Sequence, residues 1–530
     1  MQCTVHCACL WRYDVTTPVA GRFRRGVFSC SFFWSIMAIV SDGTSLPRSR
    51  RVHWGWIAGL LVIVLLAGLI YSPWWILHRA QDRFAAAVAQ RRARGERVLV
   101  EDFRQTPIPD EQNAAVYLKR AIQEMKLPHW EEMDEFKDAL VGRTPLTPEL
   151  EQAIARMIAD NAPALNFAHL ASGFPDADWK VRLVTPVYDT VKLPHLNELY
   201  ELNQFLDVFI MDSHRRGDDS AAIGALRDLL GENRAMEHQP LEVSHLAALR
   251  PVAVAGDRCM LISPDLRLTT SKADPHARDG MIPARRQDVM DLIAEFLDEA
   301  SLRMGIMENW QYGRMEMADR LIYGAPGASI IGRWRVYDQA TLILRIYDIG
   351  VKARIASDWP IATQFFKEFP AGAPSLHDAT ESFESSQEGK TKVEFNLRTE
   401  RRVAAIALAL RLYAVDHDNH FPDRLDQLVP AYLHAVPADP FAANGRPLNY
   451  LPGKKPAIYS VGQDGVDNHG ARGTGSQWNG PDAVFVLGYP DFPAKESAPK
   501  ARRNPFDATR RAPPVSRPAS TKRAIHDTLN

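Results

Sequence analysis

TERRVAAIALALRLYAVDHDNHFPDRLDQLVPAYLHAVPADPF, residues 399–441, decides how this chain is read. Val403, Ile406, Ala407, Leu410 and Tyr413 recur at three- and four-residue spacing, the period of one helix face. Phe421-Pro422 ends that helix, because proline lacks the amide and clashes with the preceding turn. A short helix is expected over 423–433. Downstream, 448–451, 457–461 and 483–487 are apolar runs of strand length divided by turn residues. Together these elements predict a small α+β unit over 391–492 with a short antiparallel sheet.

This ordered series resembles the globular part of the major, G-type pseudopilins of type II secretion systems. The resemblance rests on Leu412-Tyr413 at the helix end, the aromatic-proline step Phe421-Pro422 and the Leu-rich turn after it. Pro437-Ala438-Asp439-Pro440-Phe441, Tyr450 and Tyr459-Ser460-Val461-Gly462-Gln463-Asp464-Gly465 complete it. The rest of the chain does not share in it. In that family the apolar helix runs straight into the globular part, after a leader cleaved ahead of a phenylalanine with a glutamate nearby. Here Gly26-Val27-Phe28 lacks the glutamate, and the apolar span ends at residue 77, far ahead of 391.

The strongest site candidate is the loop 462–470, Gly-Gln-Asp-Gly-Val-Asp-Asn-His-Gly. Calcium takes several oxygen ligands from carboxylates and backbone carbonyls on a flexible loop. Asp464 and Asp467 supply carboxylates, glycines allow tight placement of carbonyls, and Asp482 would close the site from the other side. The resemblance implies Asp464 and Asp482 as side-chain ligands to calcium and Val461 as a carbonyl ligand; Asp467 is added from its chemistry alone. The other reading is an ion-free Asx turn. Asn468-His469 and the insertion 472–479 depart from the family's loop.

Working outward, residues 54–77 (WGWIAGLLVIVLLAGLIYSPWWIL) carry no charge. At 1.5 Å per residue such a helix crosses a hydrocarbon layer about 30 Å thick. Trp54 and Trp56 mark one interface, and Tyr71, Trp74 and Trp75 the other. A second apolar run, 27–40, follows Arg22, Arg24 and Arg25 and reads as a signal segment or a weak span; translation from Met37 is an alternative start. Arginines flank the span on both sides, so charge alone does not orient it. The short N-terminal tail and the resemblance set the expectation: a single-pass signal anchor in a bacterial cytoplasmic membrane, body on the outer side.

The chain has 530 residues, enough for two or three domains, and a net charge of −1, which gives no reason to expect nucleic acid as a partner. Of five cysteines only Cys259 lies in the body, so no intrachain disulfide staples it. Cys3, Cys7 and Cys9 with His6 lack the spacing of a usual zinc site. The expected order is a basic tail over 1–53, the anchor over 54–77, a juxtamembrane helix over 78–100 and an irregular α-helical domain over 101–369. A linker over 370–390, the α+β unit over 391–492 and a disordered basic tail over 493–530 follow. Helices are expected at 150–170, 195–215, 218–236, 242–261, 286–302 and 337–355. A solenoid-like stacking is one way to bury them, though no fixed repeat period is present. The fold class is thus mainly α with a small α+β unit.

Enzyme signatures are sparse. The chain has no Gly-x-Ser-x-Gly elbow, no phosphate loop and no His-Glu-x-x-His. Asp416-His417-Asp418-Asn419-His420 reads as a turn rather than a metal site, and Cys259 as core rather than nucleophile. Glu308, Glu316 and Asp319 fall among Trp310, Tyr312 and Met315 without a catalytic pattern. The expectation is a membrane-anchored envelope protein with a structural or protein-binding role. The alternatives are an accessory of a type II secretion or pilus-type machine, and an enzyme with an unrecognised site in the helical domain.

Overall fold

The structure, a computed structural model, describes residues 48–103, 107–237, 239, 241–269, 276, 278, 280–324, 329–369, 379–473 and 477–488. The N-terminal cysteine group, the run 27–40 with Met37, residues 370–378 of the expected linker and the basic tail from 493 lie outside them. The chain divides into two units, Met1–Pro73 and Trp74–Asn530.

Helix α1 (Arg48–Arg92) runs through both. In the first unit its apolar side chains are exposed all round, Leu60, Val64 and Ile70 among them, and the helix is long and apolar enough to cross a membrane. Within the second unit the pattern changes. Leu77, Ala80, Phe84 and Val88 are buried at three- and four-residue spacing, so only one face is apolar. Phe84 and Val88 of that face join Trp310, Leu344 and Tyr347 in one cluster.

The second unit is built from helices α2 (Ala114–Glu124), α3 (Trp130–Leu140), α4 (Pro148–Asp160), α5 (Ala162–Ser172) and the single turn α6 (Val187–Thr190). Next come α7 (His195–Arg216), α8 (Asp219–Glu237) and α9 (Glu242–Ile262), then α10 (Arg286–Phe296), α11 (Glu299–Tyr323), α12 (Ile330–Arg354), α13 (Trp359–Phe366) and α14 (Ala379–Asp416). A two-residue parallel pair, β1 (Leu268–Thr269) with β2 (Ala284–Arg285), closes the loop between α9 and α10. Three antiparallel strands, β3 (Asn449–Leu451), β4 (Ala457–Ser460) and β5 (Ala483–Val486), form a sheet in that order, with Tyr450 opposite Ile458 and Ile458 opposite Phe485.

Several expected boundaries change for local reasons. The 150–170 helix is two helices, because the Asn161 side chain turns back to the Met157 carbonyl and to Lys126. The 286–302 helix also divides, where Asp298 caps the start of α11 by accepting from the Ser301 amide. The helix expected over 423–433 is a single 3-10 turn, Leu425–Leu428; Gln427 Oε1 accepts from the amides of Asp423 and Arg424 and closes it early. The part of the expected linker from 379 onward is helical and belongs to α14. Its Gln387 is fully buried, so packing overrides the polar composition that suggested a linker.

α14 organises the body. From Val403 to Leu410 every side chain is fully buried, so the expected single apolar stripe is an all-round apolar surface. α9, α10 and α12, which are far apart in sequence, all pack on it. In a solenoid each repeat touches only its neighbours; convergence on one central helix is a different architecture, and the solenoid-like arrangement is not formed. One apolar core contains Leu226, Val252 and Leu292 of the helices together with Ile458, Phe485 and Leu487 of the sheet region.

Arginines on α14 hold the surrounding helix ends. The last carbonyls of a helix have no intrahelical donor and form the negative end of its dipole. Arg398 donates to the carbonyls of Arg354 and Ala356 at the end of α12, at 2.8 and 2.9 Å. Arg401 donates to those of Glu295 and Phe296 at the end of α10, at 2.8 and 3.0 Å. Arg411 reaches the Leu266 carbonyl at 2.7 Å, and Arg402 that of Ala438, also at 2.7 Å. Replacing Arg401 by Met keeps most of the volume and removes the donors. Urea unfolding followed by circular dichroism is expected to show a loss of about 2–4 kcal/mol; a loss under about 0.5 kcal/mol would mean that these bonds do not brace the body.

Candidate functional site

The loop expected to hold calcium is arranged around a carboxylate. Asp482 is fully buried. It accepts from the amides of Asn468 at 3.2 Å, Gly470 at 2.7 Å and Ala471 at 3.2 Å. The left-handed backbone of His469 and Gly470, at φ 57° and 77°, turns successive amides toward it. Such a nest of N–H groups suits an anion, and Asp482 is that anion. Asp467 accepts from the Tyr459 hydroxyl and the His469 amide, while exposed Asp464 closes an Asx turn on the Val466 amide. Val461 donates its amide to Asp439. The three carboxylates thus each accept hydrogen bonds from the chain, the arrangement that the ion-free Asx-turn reading expects. Among the described residues no group of three or more His, Cys, Asp or Glu is placed to hold a metal ion.

Asp439, in the Pro437–Phe441 segment, is buried and accepts from the Ser460 hydroxyl at 2.6 Å, the Val461 amide at 2.8 Å and the Phe441 amide at 2.9 Å. It ties that segment to the end of β4. The insertion 472–479 carries Trp478, whose indole N–H donates to Glu400 of α14 at 2.9 Å. Burial pushes the Glu400 carboxyl up to about 7.

The remaining sequence candidates are structural. Residues 416–420 form a turn with Asp418 and Asn419 left-handed at φ 53° and 63°, and His417 stacks on Tyr413. Asp416 pairs with Arg286 at 2.8 Å and accepts from the Tyr432 hydroxyl at the same distance. Cys259 is fully buried, which pushes its thiol far up and leaves it unreactive. Glu308 pairs with Arg97, Glu316 accepts from the Glu242 amide, and Asp319 holds Thr185 and the Val187 amide.

The ionisable residues that do come together were not singled out from the sequence. His245 of α9 and Glu394 of α14 are both buried and share a short hydrogen bond. Burial alone would discharge the imidazole, but the carboxylates of Glu394 and Glu237 outweigh it and hold its pKa above the ordinary value. Burial likewise works against Glu394, yet His245, Arg354 and Arg398 keep its carboxyl low. Glu237 is pushed up by burial and receives the Asn233 amide at 3.1 Å. Gly305 admits it: a Cβ there would stand 2.6 Å from Glu237 Oε2. Glu237 and Arg401 line a cavity of about 40 Å³, room for about one water and no substrate. Beside it Glu242 is shared by Arg354 at 3.3 Å and Lys390 at 2.7 Å.

A second cluster lies at the α7–α8 turn. His214 Nδ1 meets Asp219 at 2.5 Å and its Nε2 meets Asp265 at 3.3 Å, while Arg267 backs Asp219 at 3.1 Å. Burial lowers the imidazole, but the two carboxylates outweigh it and raise it to about 9. A signal for both clusters exists in the sequence only as charge on otherwise apolar helix faces.

No family model, no curated protein and no solved structure matches the chain.

Two outcomes follow from these geometries. The folded His214 binds its proton more tightly than the unfolded one. Its stabilisation is therefore complete below about 6.5 and is lost as pH rises through about 9. Denaturant unfolding is expected to weaken over that window by on the order of 3 kcal/mol, and His214→Gln to flatten the dependence. The loop geometry also predicts the same melting temperature of the full chain in calcium and in chelator. A rise of several degrees in calcium that Asp464→Ala abolishes would restore the calcium reading.

Proposed function

We propose that this is a single-pass, membrane-anchored bacterial envelope protein whose body, on the outer side of the cytoplasmic membrane, has a structural or protein-binding role. In this reading residues 391–492 are a pseudopilin-like unit built into a helical scaffold rather than a fibre subunit. The observation that carries it is the layout of the C-terminal part: a long helix, then Phe421-Pro422, then a three-stranded antiparallel sheet. That is the order of elements implied by the resemblance. The burial of residues 403–410 of α14 on all sides supports a scaffold, because that apolar surface is consumed inside this chain and is not left for fibre neighbours. The buried ionisable groups support the same reading: they neutralise one another across helix contacts beside a cavity that admits about one water.

Crosslinking of the full-length protein in native membranes, followed by affinity capture and mass spectrometry, tests this. Enrichment of other envelope proteins is the expected result. Enrichment of secretion-system or pilus subunits would make the protein an accessory of that machine, with the sheet unit as its docking element. No envelope partner above background would sink the binding role.

A further inference from the structure

A cleft of about 710 Å³ opens between α11, the α12–α13 junction, α14 and residues 438–445. That size suits a small organic molecule. Its apolar lining includes Ile306, Ile355 and Ile361, and Ile361 is 38% exposed among the described residues. Three guanidinium groups, Arg303, Arg398 and Arg402, also line it.

The acids in the same cleft are committed elsewhere. Glu299 pairs with Arg402 at 2.9 Å and stands 4.0 Å from Arg398 Nε. Asp358 caps α13 by accepting from the Ile361 amide at 3.0 Å. Asp439 is bound to Ser460 and two backbone amides. One positive group is left with unused donors. Arg398 is buried, its terminal nitrogens hold the carbonyls of Arg354 and Ala356, and its Nε–H is closed off from solvent, so it adds positive charge to the cleft rather than a free donor. Arg303, exposed on α11, makes no hydrogen bond or ion pair among the described residues.

We propose that this cleft binds a small carboxylate with an aliphatic body, its oxygens held by Arg303 in the positive field of Arg398 and Arg402, its chain lying on Ile355 and Ile361. The planar guanidinium matches a carboxylate, and the branched aliphatic lining matches the chain. A monoanion fits better than a phosphate dianion, which would meet Glu299, Asp358 and Asp439 in the same cleft. The chemistry is shared by a free fatty acid and by the C-terminus of an apolar peptide. This site does not depend on the envelope role.

The test is calorimetric titration of the full-length protein in nanodiscs, with empty nanodiscs as the blank. The probes are hexanoate, its neutral analogue hexanamide, and a short Ile-terminated peptide with a free or an amidated C-terminus. At least one free carboxylate is expected to bind saturably, and its neutral counterpart about tenfold more weakly or not at all. Arg303→Gln, on the surface, is expected to weaken binding about tenfold with an unchanged melting curve, and Ile361→Ser to weaken it severalfold. Tighter binding by the peptide identifies a chain end as the source, and tighter binding by hexanoate a free acid. Absence of saturable binding by either carboxylate, or equal affinity in wild type and Arg303→Gln, overturns the proposal.

Discussion

The body depends on one interaction repeated along one helix: an α14 guanidinium donating to backbone carbonyls of another segment. Arg398 holds the end of α12, Arg401 the end of α10, Arg411 the segment after α9 and Arg402 the loop before β3. Packing many helices around a central one buries their termini, and buried carbonyl ends need donors. Arginine can serve several at once because its donors form a rigid fork and its long stem crosses the apolar layer. The charge these residues bring inside is offset by the helix dipoles they cap and by Glu299 and Glu394.

The same economy explains the rest of the polar interior. Four buried carboxylates are answered locally: Glu394 by His245, Asp219 by His214 and Arg267, Asp439 by a hydroxyl and two amides, Asp482 by three amides. α1 is joined to the body in this way too. Arg91 meets Asp348 at 2.5 Å, and Asp348 is shared with Arg314, which also pairs with Glu96 at 2.6 Å. The Arg91–Asp348 and Arg314–Glu96 pairs span elements distant in sequence, so the network fixes tertiary arrangement as well as charge balance.

Joining the sheet unit to the helical body changes what its parts do. Phe441, Trp359 and Phe395 meet in one aromatic cluster that draws on α13, α14 and the segment before β3. Trp478, brought by the insertion, packs edge-on against Phe485 and reaches Glu400. The insertion is therefore a clamp between sheet and central helix, and the sheet rests on α14 as part of the same core.

Local patterns alone determined a good deal. The uncharged run with aromatic ends fixed the membrane-compatible helix, because length and polarity are properties of the segment itself. Helical periodicity placed α7, α8 and α9 to within a residue or so, and the turn residues around 448–487 placed the three strands. Tertiary structure decided the rest. It extended α14 back to Ala379, because burial of Gln387 and Thr391 outweighs a polar composition. It turned an apparent single stripe over 403–413 into the centre of the molecule, because neighbours from three distant helices cover its other faces. It also faced Asp482 with backbone amides, and brought His245 to Glu394 across 149 residues. A carboxylate's role is set by what faces it, and that is decided only when segments far apart in the chain come into contact.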